Sequence, residues 1–173
     1  PNDDFQKLTK ICQEYAVKKM VKLAKDTTAK MNVEFDEWFS EEKLHKDGEV
    51  KKALEELGAS GKIYEEDGAK WLKIDGGGAV LIKSDGSTTY LANDIAYTKN
   101  KFDRGFTSAI NIWGADHHGD VIRLKTGVVA LGYDPDRLEI LIHQLVSIKK
   151  TDELQRMSKR AGRFVLLDEL LEE

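Results

Sequence analysis

From Thr89 onward the chain alternates helical spacing with short apolar runs: a helix to about Arg104, the run Ala109 to Trp113, a helix to Leu131, then the run Leu138 to Val146. No other feature constrains the fold as much. Strand, helix and strand in succession pack as parallel neighbours joined by a right-handed crossover. A basic loop and a terminal helix follow. Two parallel strands with three helices make an incomplete doubly wound α/β domain, so an unpaired apolar edge is expected where further strands belong. The N-terminal helices, a second copy or a missing N-terminal half would have to cover it.

The first part of the chain has a different pattern. Phe5, Leu8, Cys12, Tyr15, Ala16, Met20, Leu23 and Ala24 recur at helical spacing, which predicts one amphipathic helix from Asp3 to about Lys30. Cys12 lies on the apolar stripe and is expected to be a buried small hydrophobe. Residues 31–39 are rich in aromatics and read as a strand or turn. Ser40 with Glu41 and Glu42 starts a second, short helix, whose apolar positions are Val50, Ala53, Leu54 and Leu57 and whose left-handed stop is expected at Gly58. Lys62 to Ile74 predicts a β-hairpin about Asp67-Gly68, and a third strand from Ala79 to Lys83 runs into a turn at Asp85-Gly86. The boundary is placed near Ile74 to Gly78, dividing an α+β part, 1–75, from the parallel-sheet part, 76–173.

Composition narrows the function. The 173 residues are 40% apolar, enough for one or two cores. No stretch approaches the roughly 18 consecutive apolar residues of a membrane span, and the start is polar rather than leader-like, so a cytoplasmic protein without a membrane partner is expected. The single cysteine excludes an internal disulfide, and a net charge of −4 argues against a protein that coats nucleic acid while permitting local basic surfaces. The chain starts at Pro1 and stops on a helix-like run, Leu170-Leu171-Glu172-Glu173, and so reads as a piece of something longer.

Three groups of residues could carry chemistry. At the end of the run Ala109 to Trp113, Gly114 allows close backbone approach to a ligand and Asp116 offers acceptors, at the position where open α/β sheets place their ligands. His117 and His118 would then open a helix. A plain helix cap at Asp116 is the alternative, and Asp-His-His also resembles the metal-binding signature of the DHH phosphoesterases, although no companion acidic cluster supplies a second metal site. Tyr90 and Asp94 stand four apart at a helix start, where a carboxylate beside a phenol suits a guanidinium; packing of Tyr90 with Asp94 in the first helical turn is the alternative. Finally, residues 149–163 are strongly basic, with Met157-Ser158-Lys159 at their centre and Gly162 beyond. A lysine on such a loop can neutralise charge as pyrophosphate leaves a triphosphate, an electrostatic contribution of roughly 3–4 kcal/mol in comparable sites.

Arg156-Met157-Ser158-Lys159-Arg160 resembles the K-M-S-K-S loop of class I aminoacyl-tRNA synthetases, in the variant with a final arginine common among arginyl-tRNA synthetases. The segments Thr89-Tyr90-Leu91, Asp94 to Tyr97, Lys101-Phe102, Arg104-Gly105-Phe106, Trp113 to Gly119, Ala130-Leu131-Gly132 and Met157 to Gly162 follow the bacterial-type arginine enzyme in order and spacing. Phe35-Asp36, Trp38, Ser40-Glu41 and Asp67-Gly68-Ala69 do so in the first half, which resembles the connective insertion between two Rossmann halves. The resemblance covers nearly the whole chain.

It implies an incomplete Rossmann-like sheet, the second half of a class I catalytic domain, with an α+β connective insertion at 1–75. It also implies a parent arginine–tRNA ligase that activates L-arginine with ATP and Mg²⁺ and passes the arginyl group to its tRNA. Tyr90 and Asp94, with Asp116, would hold arginine. Gly114, Asp116, His117 and Lys159 would bind ATP, and Met157, Ser158 and Lys159 would form the catalytic loop, with no protein-bound metal. The H-I-G-H element of the missing N-terminal half is absent, so the isolated piece is expected to be inactive. Asp75 to Gly78 is shorter than the usual loop; Thr98 and Asp120 stand where a histidine and an aromatic are usual, and Arg163 and Leu166 where Asn and Thr are. A non-catalytic nucleotide-binding or interaction module derived from the same scaffold is the competing reading.

Overall fold

The computed structural model describes residues 3–144, 146, 149–150, 153–154 and 165–172. They belong to two compact units, Phe39–Val146 and a unit formed by Pro1–Trp38 with Ser147–Glu173.

In the unit Phe39–Val146, helices α2 (Glu41–Lys46) and α3 (Glu49–Ala59) precede an antiparallel sheet of β1 (Ile63–Glu66), β2 (Ala69–Ile74) and β3 (Gly77–Ile82) in sequential order. The hairpin forms where the sequence places it: Asp67 and Gly68 take φ of 50° and 75°, the paired positive angles that match the twist of two joined strands. Then come α4 (Tyr90–Asp103), β4 (Ala109–Gly114), α5 (Asp120–Ala130) and β5 (Leu138–His143). β4 and β5 are parallel, in register from Ala109 opposite Leu138 to Gly114 opposite His143. The result is the mixed α/β fold expected from the alternation, with a small parallel sheet beside an antiparallel one.

One core joins the two sheets. Leu57 of α3, Leu72 of β2 and Leu81 of β3 pack with Ile95 of α4, Leu124 and Val128 of α5 and Leu138 of β5. A smaller cluster of Leu44, Val50, Ala53 and Ala96 fixes α2 and α3 against α4. Burial of side chains such as these stabilises by about 1.5–3 kcal/mol each. Ile110, Ile112 and Leu141 of the parallel pair stay 59%, 71% and 45% exposed, the uncovered apolar surface expected of so narrow a parallel sheet.

Three local expectations are corrected. The second helix is interrupted at Gly48, whose φ of 75° separates α2 from α3. Its end lies at Ala59 rather than Gly58, and the left-handed glycine is Gly61, φ 71°. His117 and His118 do not open a helix, and Asp116 does not cap one: Ala115–His117 is a single 3₁₀ turn, and α5 begins at Asp120. β5 also ends at His143, short of Val146.

In the other unit, α1 (Asp3–Lys30) is the predicted long helix, but none of its residues is buried. Cys12 is therefore exposed, contrary to expectation. Helical spacing marks the face that would be covered; it does not supply the cover. Near the end of α1, Thr27 and Lys30 both donate to the carboxylate of Asp168, at 2.8 and 2.6 Å, in the short helix α6 (Leu167–Leu171). Strands β6 (Lys149–Lys150) and β7 (Glu153–Leu154) form an antiparallel pair in this unit.

Candidate active-site cleft

A cleft of about 830 Å³ opens in the unit Phe39–Val146, within the volume range of small-molecule sites. One side is α4. Tyr90, Asn93, Asp94 and Tyr97 follow one another at i, i+3, i+4 and i+7, which sets them on one helical face, while Ala92, Ile95 and Ala96 turn into the core. Thr89 fixes the start of the helix. Its hydroxyl oxygen accepts from the amide of Ala92 at 3.3 Å and donates to the carbonyl of Val80 at 2.8 Å, so the first turn is tied to β3. Trp71 of β2 and Gly78, Ala79 and Val80 of β3 also line it. Trp113, His117, Asp120 and Arg123 line the cleft from the end of β4 and the start of α5, and Phe39, Glu41 and Leu44 from the approach to α2.

The charge in this cleft is acidic, and both Asp94 and Glu41 stay open to solvent. Burial pushes the carboxyl of Asp94 above the ordinary carboxylate range, and the nearby charge of Glu41 pushes it further, against the pull of Lys101. Glu41 accepts a hydrogen bond from Nδ2 of Asn93 at 2.8 Å. The other end of that amide, Oδ1 of Asn93, is buried without a hydrogen-bond partner. Two carboxylates thus line one space, an arrangement that favours a cationic donor. Beneath it, Lys101 donates to Oδ1 of Asn111 at 2.9 Å and lies over the Tyr97 ring at 4.5 Å, and Tyr97 stacks on Phe39 at 4.5 Å. Burial and the charge of Arg104 together lower the pKa of Lys101.

At the end of β4 the chain turns tightly. A Cβ on Gly114 would lie 2.5 Å from Oδ1 of Asp116, so the carboxylate folds back over the space that glycine leaves open. Nε2 of His117 lies 3.7 Å from Asp116, and its Nδ1 lies 3.4 Å from Asp120. Arg123 donates to the remaining oxygen of Asp120 at 2.7 Å. Among the described residues no group of three or more His, Cys, Asp or Glu could hold a metal ion.

Of the residues singled out in the sequence, Tyr90, Asp94 and His117 line this one cleft. Gly114 and Asp116 are not among its lining residues; they approach each other, and Asp116 lies beside the lining residue His117. Tyr90 is 86% exposed, at the mouth rather than in the interior. Met157, Ser158 and Lys159 lie outside the described residues. Sequence reasoning overlooked Glu41, Asn93, Tyr97, Trp71 and Arg123 as cleft residues. Asn93 and Tyr97 could have been found by extending the helical face from Tyr90, whereas Glu41 stands 52 residues from its partner Asn93 and carries no local signal.

Residues 2–173 match the family model described as tRNA synthetases class I (R), catalytic domain. An arginine–tRNA ligase of Heliobacterium modesticaldum is 49% identical over 164 residues, covering 92% of this chain and 29% of that protein. One from Anoxybacillus flavithermus is 49% identical over 175 residues, covering 98% of this chain and 31% of that protein. A crystal structure described as an arginyl-tRNA synthetase from Campylobacter jejuni superposes with a TM-score of 0.81 at 38% identity, over 92% of this chain and 35% of that one. The chain thus spans about three-tenths of the length of these curated relatives. Family model, relatives and superposed structure agree, and the chain belongs to the class I arginyl-tRNA synthetase catalytic-domain family.

Proposed function

We propose that this chain supplies the arginine-binding part of an arginine–tRNA ligase, which joins L-arginine to ATP as arginyl-adenylate and then transfers it to tRNA(Arg). The observation that carries this reading is the pair of carboxylates in the cleft, Asp94 with Glu41 beside it. A guanidinium carries five donors in a planar fork and no acceptor, so it can satisfy several such groups at once. Tyr90 stands at the mouth, where its ring can flank the side chain that enters.

No protein nucleophile is needed for the chemistry. The carboxylate of arginine attacks the α-phosphorus, the bond to pyrophosphate breaks, and the terminal ribose hydroxyl of the tRNA later displaces AMP from the adenylate. The protein's part is positioning and charge. Gly114, Asp116 and His117 would hold the adenosine side, and Met157, Ser158 and Lys159 would close on the triphosphate, with Lys159 contributing about 3–4 kcal/mol as pyrophosphate leaves. Mg²⁺ bound with ATP would supply further charge neutralisation on the phosphates. Residues 1–75 serve as the connective insertion and 76–173 as the second half of the catalytic domain. A cytoplasmic location fits this role; among the described residues no helix is long and apolar enough to cross a membrane.

The test is arginine-dependent ATP–pyrophosphate exchange by the full-length gene product, run with and without tRNA. Asp94→Ala is expected to raise the arginine KM by about 10- to 150-fold, the value of a hydrogen bond to a charged group. Lys159→Ala is expected to lower kcat by about 10²–10³ with a smaller effect on KM. Exchange that proceeds equally well with lysine would refute the guanidinium assignment.

A further inference from the structure

Resting on the ligase reading, we propose that Lys101 is a positioning residue of the arginine site, a resident cation beneath the cleft that keeps Asp94 ready for a guanidinium while the cleft is empty. Asp94, Tyr97 and Lys101 follow at i, i+3 and i+7 on α4, one stripe of the helix. Asp94 and Tyr97 line the cleft, and Lys101 does not. Its ammonium lies over the Tyr97 ring at 4.5 Å and donates to Oδ1 of Asn111 in β4 at 2.9 Å. The charge is thus held in place by α4 and β4 together.

Neither contact needs a full charge. Asn111 would accept equally from a neutral amide, and the face of a partly exposed ring draws a cation only weakly. Lys99, two residues earlier, shows what a structural lysine looks like on this helix: it meets Asp103 at 2.5 Å and Glu56 at 3.5 Å. Among the described residues Lys101 has no such ion pair; its partners are an amide oxygen and a π face.

The group that uses the charge is Asp94. Burial and the charges of Glu41 and Asp120 push the carboxyl of Asp94 up, while Lys101 and His117 pull it down. The influence is mutual, since burial and Arg104 push Lys101 down and Asp94 pulls it up. The other charges lining the cleft have partners of their own. Glu41 accepts from Asn93, and Asp120 is shared between Arg123 at 2.7 Å and His117 at 3.4 Å. Lys101 therefore favours the ionised carboxylate in the empty cleft, so that an arriving guanidinium does not have to expel a proton. The same cation repels the guanidinium, which limits affinity at a pH where Asp94 is ionised in any case.

In the full-length gene product, carboxyl-carbon NMR of labelled aspartate, with Asp94 assigned through Asp94→Asn, follows this carboxyl without any ligand. Lys101→Met, which keeps the length, should move the Asp94 titration to higher pH, and Lys101→Arg, which keeps the charge, should leave it in place. Calorimetry then gives the arginine affinity at one pH on each side of that titration. The ratio of the two affinities, alkaline over acid, should be about 2- to 15-fold larger in Lys101→Met than in the parent, the effect of a unit charge two helical turns away, on the order of 10 Å. In Lys101→Arg the ratio should be unchanged. A lysine that only braces α4 against β4 would, on removal, weaken binding equally at both pH values; that result, or an Asp94 titration that stays where it was, overturns the proposal. An Asp94 titration that moves as stated in a protein that binds no arginine would uphold the resident cation and sink the arginine reading of the cleft.

Discussion

Gly127 provides the sharpest test of how this unit is packed. It lies within α5 among buried residues, and a Cβ there would fall on Cδ1 of Ile95 and 2.7 Å from its Cγ1. Ile95 is fully buried on α4, so it cannot swing into solvent. In an open helix, Gly→Ala stabilises by about 1 kcal/mol. Here the inserted methyl overpacks the core, at the upper end of a cost of about 1–3 kcal/mol, so Gly127→Ala should destabilise by about 2 kcal/mol net. Ile95→Val removes the atom that is struck and alone costs about 0.5–1.5 kcal/mol. The double variant should therefore lose at least about 1 kcal/mol less than the sum of the singles, well outside the roughly 0.3–0.5 kcal/mol scatter of independent sites. Urea denaturation followed by tryptophan fluorescence measures this, since a loss of about 2 kcal/mol moves the midpoint by about 1 M at a slope near 2 kcal/mol/M. Strict additivity, or a Gly127→Ala protein more stable than the parent, would refute the close α4–α5 packing.

Asp94 should favour arginine binding at a cost in stability. Folding raises its pKa, so its contribution improves as the pH falls through the folded pKa and is unfavourable at neutral pH. Asp94→Asn should raise the urea midpoint at pH 7 while weakening arginine binding about 10- to 150-fold, read by calorimetry; an unchanged midpoint would contradict the upward shift of the carboxyl pKa. Asp103 behaves in the opposite sense. Burial raises its pKa, but the hydrogen bonds from Lys99 at 2.5 Å and Tyr133 at 2.7 Å outweigh that and hold it low. Its contribution is present above the unfolded carboxylate pKa and lost as pH falls through the folded one. Asp103→Asn should cost about 1–2 kcal/mol at pH 7, because Lys99 keeps Glu56 at 3.5 Å, and should flatten the acid limb of the stability curve. Cys12, exposed on α1, should react with a thiol reagent in native buffer as fast as in denaturant; slow native labelling would mean that α1 is covered.

Where a residue's conformation is decided by its immediate neighbours, the sequence was readable. Asp67-Gly68 fixes the hairpin because paired positive φ angles are cheap there, and Thr89 marks the start of α4 because its hydroxyl caps the first turn. The parallel pairing of β4 and β5 follows from the helix between them. Apolar spacing that continues across Asp47-Gly48 hid the break between α2 and α3. Asp116 before two histidines imitates an N-cap, yet the turn it belongs to is 3₁₀ and the helix starts later. The same limit concealed Glu41. Its partner Asn93 is reached only through α2 packing on α4, a fact of tertiary structure that no local pattern contains.

The cleft and the core are two faces of one helix. Asp94 and Ile95 are neighbours in sequence; one faces the acidic cleft, and the other is fully buried against α5. Thr98 closes the same turn by donating from its hydroxyl to the carbonyl of Asp94 at 2.8 Å, a bond made in the interior, where Thr98 is 1% exposed. Any change that shifts α4 against α5 must therefore move the carboxylate, because no flexible linker separates the two. Asp94 is a costly group placed on the most tightly packed helix of the unit rather than on a loop. Such an arrangement makes sense where a guanidinium must be met in a fixed geometry, since a loop would lose in ordering entropy what the charge contributes to binding. The packing variants should thus weaken arginine binding in the same rank order in which they lower stability.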